Sequence, residues 1–292
     1  MSSYSIKDLE QLSGIKAHTL RIWEQRYNII APQRTDTNIR TYDDQDLKLV
    51  LNISLLKDHG YKISEISKLS TEDMTQEALK ILASPLSYPD QIQALTLAMI
   101  DFDEERFETI IDANEHQFGF ENTIVNIIYP FLNRIGILWM TGSIGSGQEH
   151  FVSNLIRQKL IAAIDKQSDK SISTGKTFVL FLPEGEFNEI SLLFANYIIR
   201  SRSNKVIYLG QNLPFNDLRF VYQMKRPDYI FTAFTSVPAN HEVQPFVDRM
   251  AKTFPESCLL LTGYQIVGQD ITIPENATII NQITDLIRFA TK

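Results

Sequence analysis

The sequence predicts a multidomain chain of two fold classes: a helical front carrying a small wing, and an α/β back built on a doubly wound parallel sheet. Three observations carry this reading. Residues 5–70 hold short helical patterns broken by the tight turn Ser13-Gly14-Ile15 and again by Pro32 and the polar run Thr35-Asp36-Thr37-Asn38. Residues 90–167 hold four longer stretches with apolar residues at helical spacing. From Thr177 onward, short apolar runs alternate with helical patterns. Such alternation demands crossovers between parallel strands, with the ligand edge at the strands' carboxyl ends.

Taken in order, Ile6, Leu9 and Leu12 form one helix face, and the Gly14 turn opens a second helix with Leu20, Ile22, Trp23 and Tyr27 as its apolar body. This is a helix-turn-helix. A β-hairpin wing follows around Pro32, and helix resumes at Asp43-Asp44-Gln45-Asp46, acidic residues that suit a helix N-terminus. A helical pattern from residue 71 ends in a linker near 82–89, where Ser84-Pro85 and Tyr88-Pro89 stop it. The sets Ile92-Leu95, Phe107-Ile110-Ile111, Ile124 through Leu138 and Phe151 through Ile164 predict a four-helix bundle. In the last part, strands are expected at 177–182, 205–209, 228–235, 257–262 and 277–281, and helices at 189–202, 215–225, 241–253 and 283–290. Three domains result, at 1–75, 90–167 and 175–292.

The 292 residues are 43% hydrophobic and 22% charged, a balance that fits a folded chain of several domains. No apolar run reaches the roughly 20 residues needed to cross a membrane, and the N-terminus carries no secretory signal pattern, so the cytoplasm is the expected location. The lone Cys258 reads as a core thiol. The net charge of −7 excludes a general nucleic-acid coat, but it is unevenly spread: residues 1–70 carry 10 Lys/Arg against 9 Asp/Glu, and the rest 18 against 26. The front module is therefore the candidate face for a polyanion.

Within that module, Lys16, His18, Thr19 and Arg21 open the second helix, where side chains reach a major groove, while Arg34, Arg40 and Tyr42 belong to the wing and suit phosphates. Trp23, Ile22 and Tyr27 read as core. The run Arg21-Ile22-Trp23-Glu24-Gln25-Arg26-Tyr27, with Ala31-Pro32-Gln33-Arg34-Thr35 and Asn38-Ile39-Arg40-Thr41-Tyr42, resembles the DNA-binding domain of the MerR family. Within that family it is similar to the branch of light- and cobalamin-responsive repressors. The resemblance covers residues 3–70 and adds Arg26 and Asn38 to the expected DNA-facing set.

The resemblance also bears on the rest of the chain. Trp139, nine residues, then Glu149-His150 matches in type and spacing the motif that covers the upper face of a corrin in that branch. An indole offers a flat apolar plate, and a carboxylate and imidazole offer polar anchors. The loop Pro183-Glu184-Gly185-Glu186-Phe187-Asn188-Glu189-Ile190-Ser191 resembles the branch's cobalamin-binding loop, with Asn188 where that loop has histidine and Ser191 where it has glycine. An amide oxygen is a weak ligand for a transition metal, so Asn188 does not hold cobalt. It suits instead an N-cap for a helix starting at Glu189. The segment around Tyr208, the loop Thr235-Ser236-Val237 and Thr262-Gly263-Tyr264 stand where the branch places its remaining cofactor contacts.

The resemblance thus implies a regulator, mainly a repressor, that binds a double-stranded operator as a homo-oligomer, dimer or tetramer, with adenosylcobalamin as the candidate cofactor. Two alternatives stay open: a corrinoid carrier subunit of a methyltransferase, and a regulator whose sensor has lost its cofactor and binds only protein. Enzyme chemistry finds no support. His18, His59, His116, His150 and His241 are scattered without a second ligand at metal spacing, and Gly142-Ser143-Ile144-Gly145-Ser146-Gly147 lacks the Lys-Ser of a phosphate loop.

Overall fold

The computed structural model describes residues 3–35, 38–82, 88–140, 144–167, 175–235 and 243–291. It divides into two compact units, Met1–Leu155 and Ile156–Lys292.

The first unit begins with α1 (Ile6–Ser13), which Ser5 and Asp8 close with a reciprocal capping box and Gly14 ends in the left-handed region. A second helix, α2 (Ala17–Tyr27), starts where Glu10 accepts the Ala17 N–H at 3.0 Å and ends on Asn28 with positive φ. The wing is a two-stranded antiparallel hairpin, β1 (Gln33–Arg34) and β2 (Arg40–Thr41), whose turn uses Asn38 at φ +64°. Helix α3 (Asp44–Asp58) follows, capped by Asp43 and Asp46, then α4 (Ile63–Ile66) and α5 (Thr71–Leu82). The bundle comprises α6 (Tyr88–Asp101), α7 (Glu104–Phe118), a long rod and a final helix. The rod runs from α8 (Phe120–Thr123) through a π-helical turn at Ile124–Ile128 into α9 (Tyr129–Met140); the final helix, α10 (Ser146–Asp165), begins in this unit and continues past Leu155 into the second. Within this unit the head is fastened to the bundle by polar contacts. Lys48 pairs with Asp101, His59 lies 3.8 Å from Asp90, and the Gln93 amide donates to the Leu51 carbonyl.

The second unit is a five-stranded parallel sheet of β3 (Thr177–Pro183), β4 (Lys205–Leu213), β5 (Tyr229–Ala233), β6 (Cys258–Thr262) and β7 (Ala277–Ile279), in the order β4-β3-β5-β6-β7. Period-two alternation splits its side chains between two faces. Val179, Phe181, Ile230, Leu259 and Leu261 pack under α12 (Phe215–Lys225) and α13 (Val243–Thr253), joining Leu218, Tyr222, Val247 and Met250. Phe178 stacks on Tyr229, which meets Phe289 of α14 (Ile283–Thr291); α11 (Ile190–Ser201) packs against α14. Helices therefore cover both faces, as the alternation of the sequence requires. The strand order reverses between β3 and β5, which puts the loops after these two strands at the point where open α/β sheets bind ligands.

Candidate nucleic-acid interface and sensor site

On α2 the buried side is Leu20 and Trp23, and the opposite side is a continuous exposed stripe of His18, Arg21, Ile22 and Gln25. These four stand at i, i+3, i+4 and i+7, the spacing that lines one helix face. Ile22 corrects the expectation of a core residue: it is 49% exposed, because helical spacing turns it away from the side on which Leu20 and Trp23 are buried. Together with Gln25 it was missed as a surface residue, although helical spacing from His18 selects both. Thr19 is half-buried, Lys16 is ion-paired with Glu10 at 3.0 Å, and Arg26 lies over the Tyr27 ring at 5.5 Å.

Charge in the wing is organised by one carboxylate that residue type did not single out. Glu24, on α2, accepts from Arg40 Nε at 2.9 Å and Nη2 at 3.2 Å, and lies 4.0 Å from Arg34. This bidentate bond holds the Arg40 guanidinium protonated above its already high range. Arg34 also donates to Asn38 at 2.7 Å across the wing turn, so Asn38 shapes the wing from inside its own strand pair. Tyr42 departs from the expected phosphate contact. It is 3% exposed, its backbone exchanges hydrogen bonds of 2.8 and 3.0 Å with Tyr4, and burial pushes its phenol pKa up. The ring closes the seam between the first residues of the chain and the wing, and so belongs to the core.

In the bundle, Glu149 accepts from Ser153 at 2.7 Å and lies 3.4 Å from Nδ1 of His150, whose side chain is exposed. Trp139 lies near the end of α9, with its side chain outside the described residues, as are Ser236 and His241.

The carboxyl edge of the sheet is tied together by its own carboxylates. Glu186, buried, accepts from the Thr235 N–H at 2.8 Å and the Thr235 hydroxyl at 2.6 Å, linking the β3 and β5 loops at the switch point. Asn212 then joins the β4 loop, accepting from Gly185 N–H at 2.8 Å and donating its own N–H to the Glu186 carbonyl at 3.1 Å. Glu189 binds Arg157 at 2.6 Å and accepts from the Tyr208 hydroxyl at 2.9 Å; burial, then this bond, raises the Tyr208 pKa. Gly263 lets the β6 loop approach β5. At φ +103°, a Cβ there would lie 2.2 Å from the Phe234 carbonyl oxygen. Gly263→Ala is accordingly expected to cost about 2 kcal/mol in a thermal or urea unfolding measurement, through overpacking and backbone strain. A wild-type midpoint would show that this close approach is not needed.

Asn188 corrects a third expectation. Helix α11 begins at Ile190, with Glu189 at the capping position and no side-chain cap, while Asn188 is exposed. The reason is that Glu189 is drawn down to Arg157 and Tyr208, and its carbonyl already accepts the first helical bond, from Leu193, at 2.8 Å. Tested against cobalt ligation, this loop does not fit. Its amide is a weak donor, the buried Glu186 and Glu189 carboxylates face other partners, and the Ser191 hydroxyl is buried without a hydrogen bond. Among the described residues no three His, Cys, Asp or Glu side chains gather at a metal site, and no helix is long and apolar enough to cross a membrane.

Residues 4–73 match the MerR HTH family regulatory protein model, and residues 91–163 match the B12 binding domain model. The chain is similar to the HTH-type transcriptional repressor CarH of Myxococcus xanthus, 24% identical over 267 residues that span 89% of this chain and 88% of that one. It is similar also to the repressor CarA of the same organism, 26% identical over 242 residues, 81% and 78% of the two chains. Among solved structures, a Methanosarcina barkeri monomethylamine corrinoid protein shares the fold. Its TM-score is 0.58 at 9% identity, over 70% of this chain and 99% of that one.

Proposed function

We infer that this chain, a MerR-type helix-turn-helix joined to a B12-binding-type helical domain and an α/β sheet of corrinoid-protein fold, is a DNA-binding transcriptional regulator that represses from its operator. The observation that carries the DNA reading is the exposed stripe of α2, flanked by the wing arginines on one small head. His18, Arg21, Ile22 and Gln25 would face base edges, Arg21 as a guanine donor, Gln25 as a partner for adenine, and Ile22 against a thymine methyl. Lys16, Thr19, Arg26, Arg34 and Arg40 would face the backbone. A single such head reads one half-site, so a dimer or larger assembly is the working unit on DNA.

Selection of bound duplexes from a random pool by the full chain tests this directly. A recovered motif with paired half-sites is the expected result, and Ile22→Ala or Gln25→Ala should relax the preference at one position per half-site by about five-fold. Recovery of no motif, with affinity that depends on salt alone, would remove the base-reading role.

Our reading of the sensor is a cobalamin-class site that lacks a protein ligand to cobalt, with Asn188, Tyr208 and Gly263 at the carboxyl edge of the sheet around or supporting it. A methyltransferase carrier is the weaker alternative, because a carrier cycles its cobalt and the β3 loop here offers no imidazole. The visible spectrum after incubation with adenosylcobalamin, in dark and in light, checks uptake. An uncoloured protein would leave a scaffold for a protein partner as the function of this part.

A further inference from the structure

The residue just before Glu149-His150 points into the protein. Gln148 is 4% exposed, and both ends of its amide are engaged. Its Oε1 accepts from the Gly145 N–H at 3.2 Å, closing the first turn of α10, and this fixes Nε2 toward Oδ1 of Asp44 at 3.4 Å. Asp44 stands in the first turn of α3, directly after the wing, and the same oxygen accepts the Tyr4 hydroxyl at 2.8 Å. Tyr4 in turn is buried and pairs its backbone with Tyr42, which follows β2, whose Arg40 grips Glu24 of α2.

We propose that Gln148 is a positioning residue that couples the helix bearing Glu149-His150 to the DNA-facing wing, through Asp44, Tyr4 and Tyr42. This rests on reading the head as the DNA module and α10 as part of the sensor. Capping α10 requires only an acceptor, and packing requires only volume; a donor aimed at a carboxylate 104 residues earlier serves neither. Each link is a hydrogen bond among buried or half-buried groups, so losing one leaves a polar atom unsatisfied, and the network favours being wholly made or wholly broken. At 3.4 Å the Gln148–Asp44 bond is near its geometric limit, so a small shift of α10 breaks it. Meanwhile Lys48–Asp101, Gln93–Leu51 and a contact of Arg134 with the Gln11 carbonyl at 3.5 Å keep the head seated on the bundle. Movement at α10 is thereby relayed to the wing without undocking the head.

The test is amide hydrogen exchange on the full chain, with Gln148→Glu, Tyr4→Phe and the double variant. Gln148→Glu keeps the acceptor for Gly145 and removes the donor to Asp44. The Tyr4 and Tyr42 amides should exchange about ten-fold faster, as for one lost hydrogen bond, while amides of residues 149–154 stay protected as in the wild type. Tyr4→Phe should do the same, and the double variant no more than either single one, because they break one network. Wild-type exchange at Tyr42 in Gln148→Glu would overturn the proposal; so would effects that multiply in the double variant. Loss of protection in α10 together with the wing would assign Gln148 to capping alone and overturn it too. Affinity for a mixed-sequence duplex at low salt, and wing exchange with and without adenosylcobalamin, separate the two underlying readings. An altered wing with unaltered DNA affinity sinks the head assignment. A wing indifferent to cobalamin sinks the sensor assignment, and the exchange data still decide for or against Gln148.

Discussion

Arg40→Ala is expected to weaken binding of the full chain to duplex DNA by ten- to about a hundred-fold at low salt, the loss that goes with a charged hydrogen bond and the order it imposes. The salt dependence should distinguish how. A free arginine lost from a phosphate lowers the log–log slope by about one unit. Arg40 is not free: Glu24 already takes two of its donors, so part of its charge is balanced inside the protein and the slope should fall by less. Glu24→Gln should act in the opposite sense. It keeps an oxygen to accept from Arg40 but removes the charge shared by Arg40 and Arg34, so affinity should rise several-fold and the slope steepen by about one unit. Equal losses in both variants would mean that the Glu24–Arg40 pair serves only to brace the wing against α2. No change in either would take the wing off the DNA.

What sequence reading captured, and what it missed, divides along the range of the interactions. The wing, the capped start of α3 and all five strands of the sheet come from local pattern. Pro32, the Asp43–Asp46 box and the β-rich run Thr177–Pro183 are each settled within a few residues. The strand order is not local, since it depends on which apolar runs pair across 50 or more residues, as Phe178 does with Tyr229. Burial follows the same rule. Ile22 looks like core by type, yet the helix turns Leu20 and Trp23 inward and Ile22 outward; Tyr42 looks like a surface contact, yet Tyr4, 38 residues earlier, needs a partner across the seam. At the sheet edge, the Asn188 cap fails because Arg157 and Tyr208 claim its neighbour Glu189. Glu186 reads as one more loop carboxylate until Thr235, 49 residues on, supplies its two donors. Charge type is visible in a sequence, and the identity of the counter-charge is not.

Asn188→His is the variant with the largest expected effect on the sensor. Asn188 is exposed on the β3 loop, and the residues that surround the loop do not replace the imidazole that a cobalt ion favours. If the wild-type domain takes up cobalamin, it does so through apolar contact and hydrogen bonds, and its visible spectrum should lack nitrogen ligation from the protein. Histidine at 188 should raise affinity by up to about a hundred-fold and move the spectrum toward the nitrogen-ligated form. Two features of the loop set the ceiling. A metal-bound imidazole needs its second ring nitrogen held by an acceptor, and the Glu186 carboxylate two residues away is taken by Thr235. Ser191, whose hydroxyl is buried, also stands, by the sequence resemblance, where the corresponding loop has glycine. Adding Ser191→Gly to Asn188→His should therefore bind more tightly than Asn188→His alone. A gain in Asn188→His with no further gain in the pair would show that Ser191 leaves the cofactor its room. Absence of colour in the wild type and in both variants would end the cobalamin reading, leaving the sheet edge as a surface for another partner.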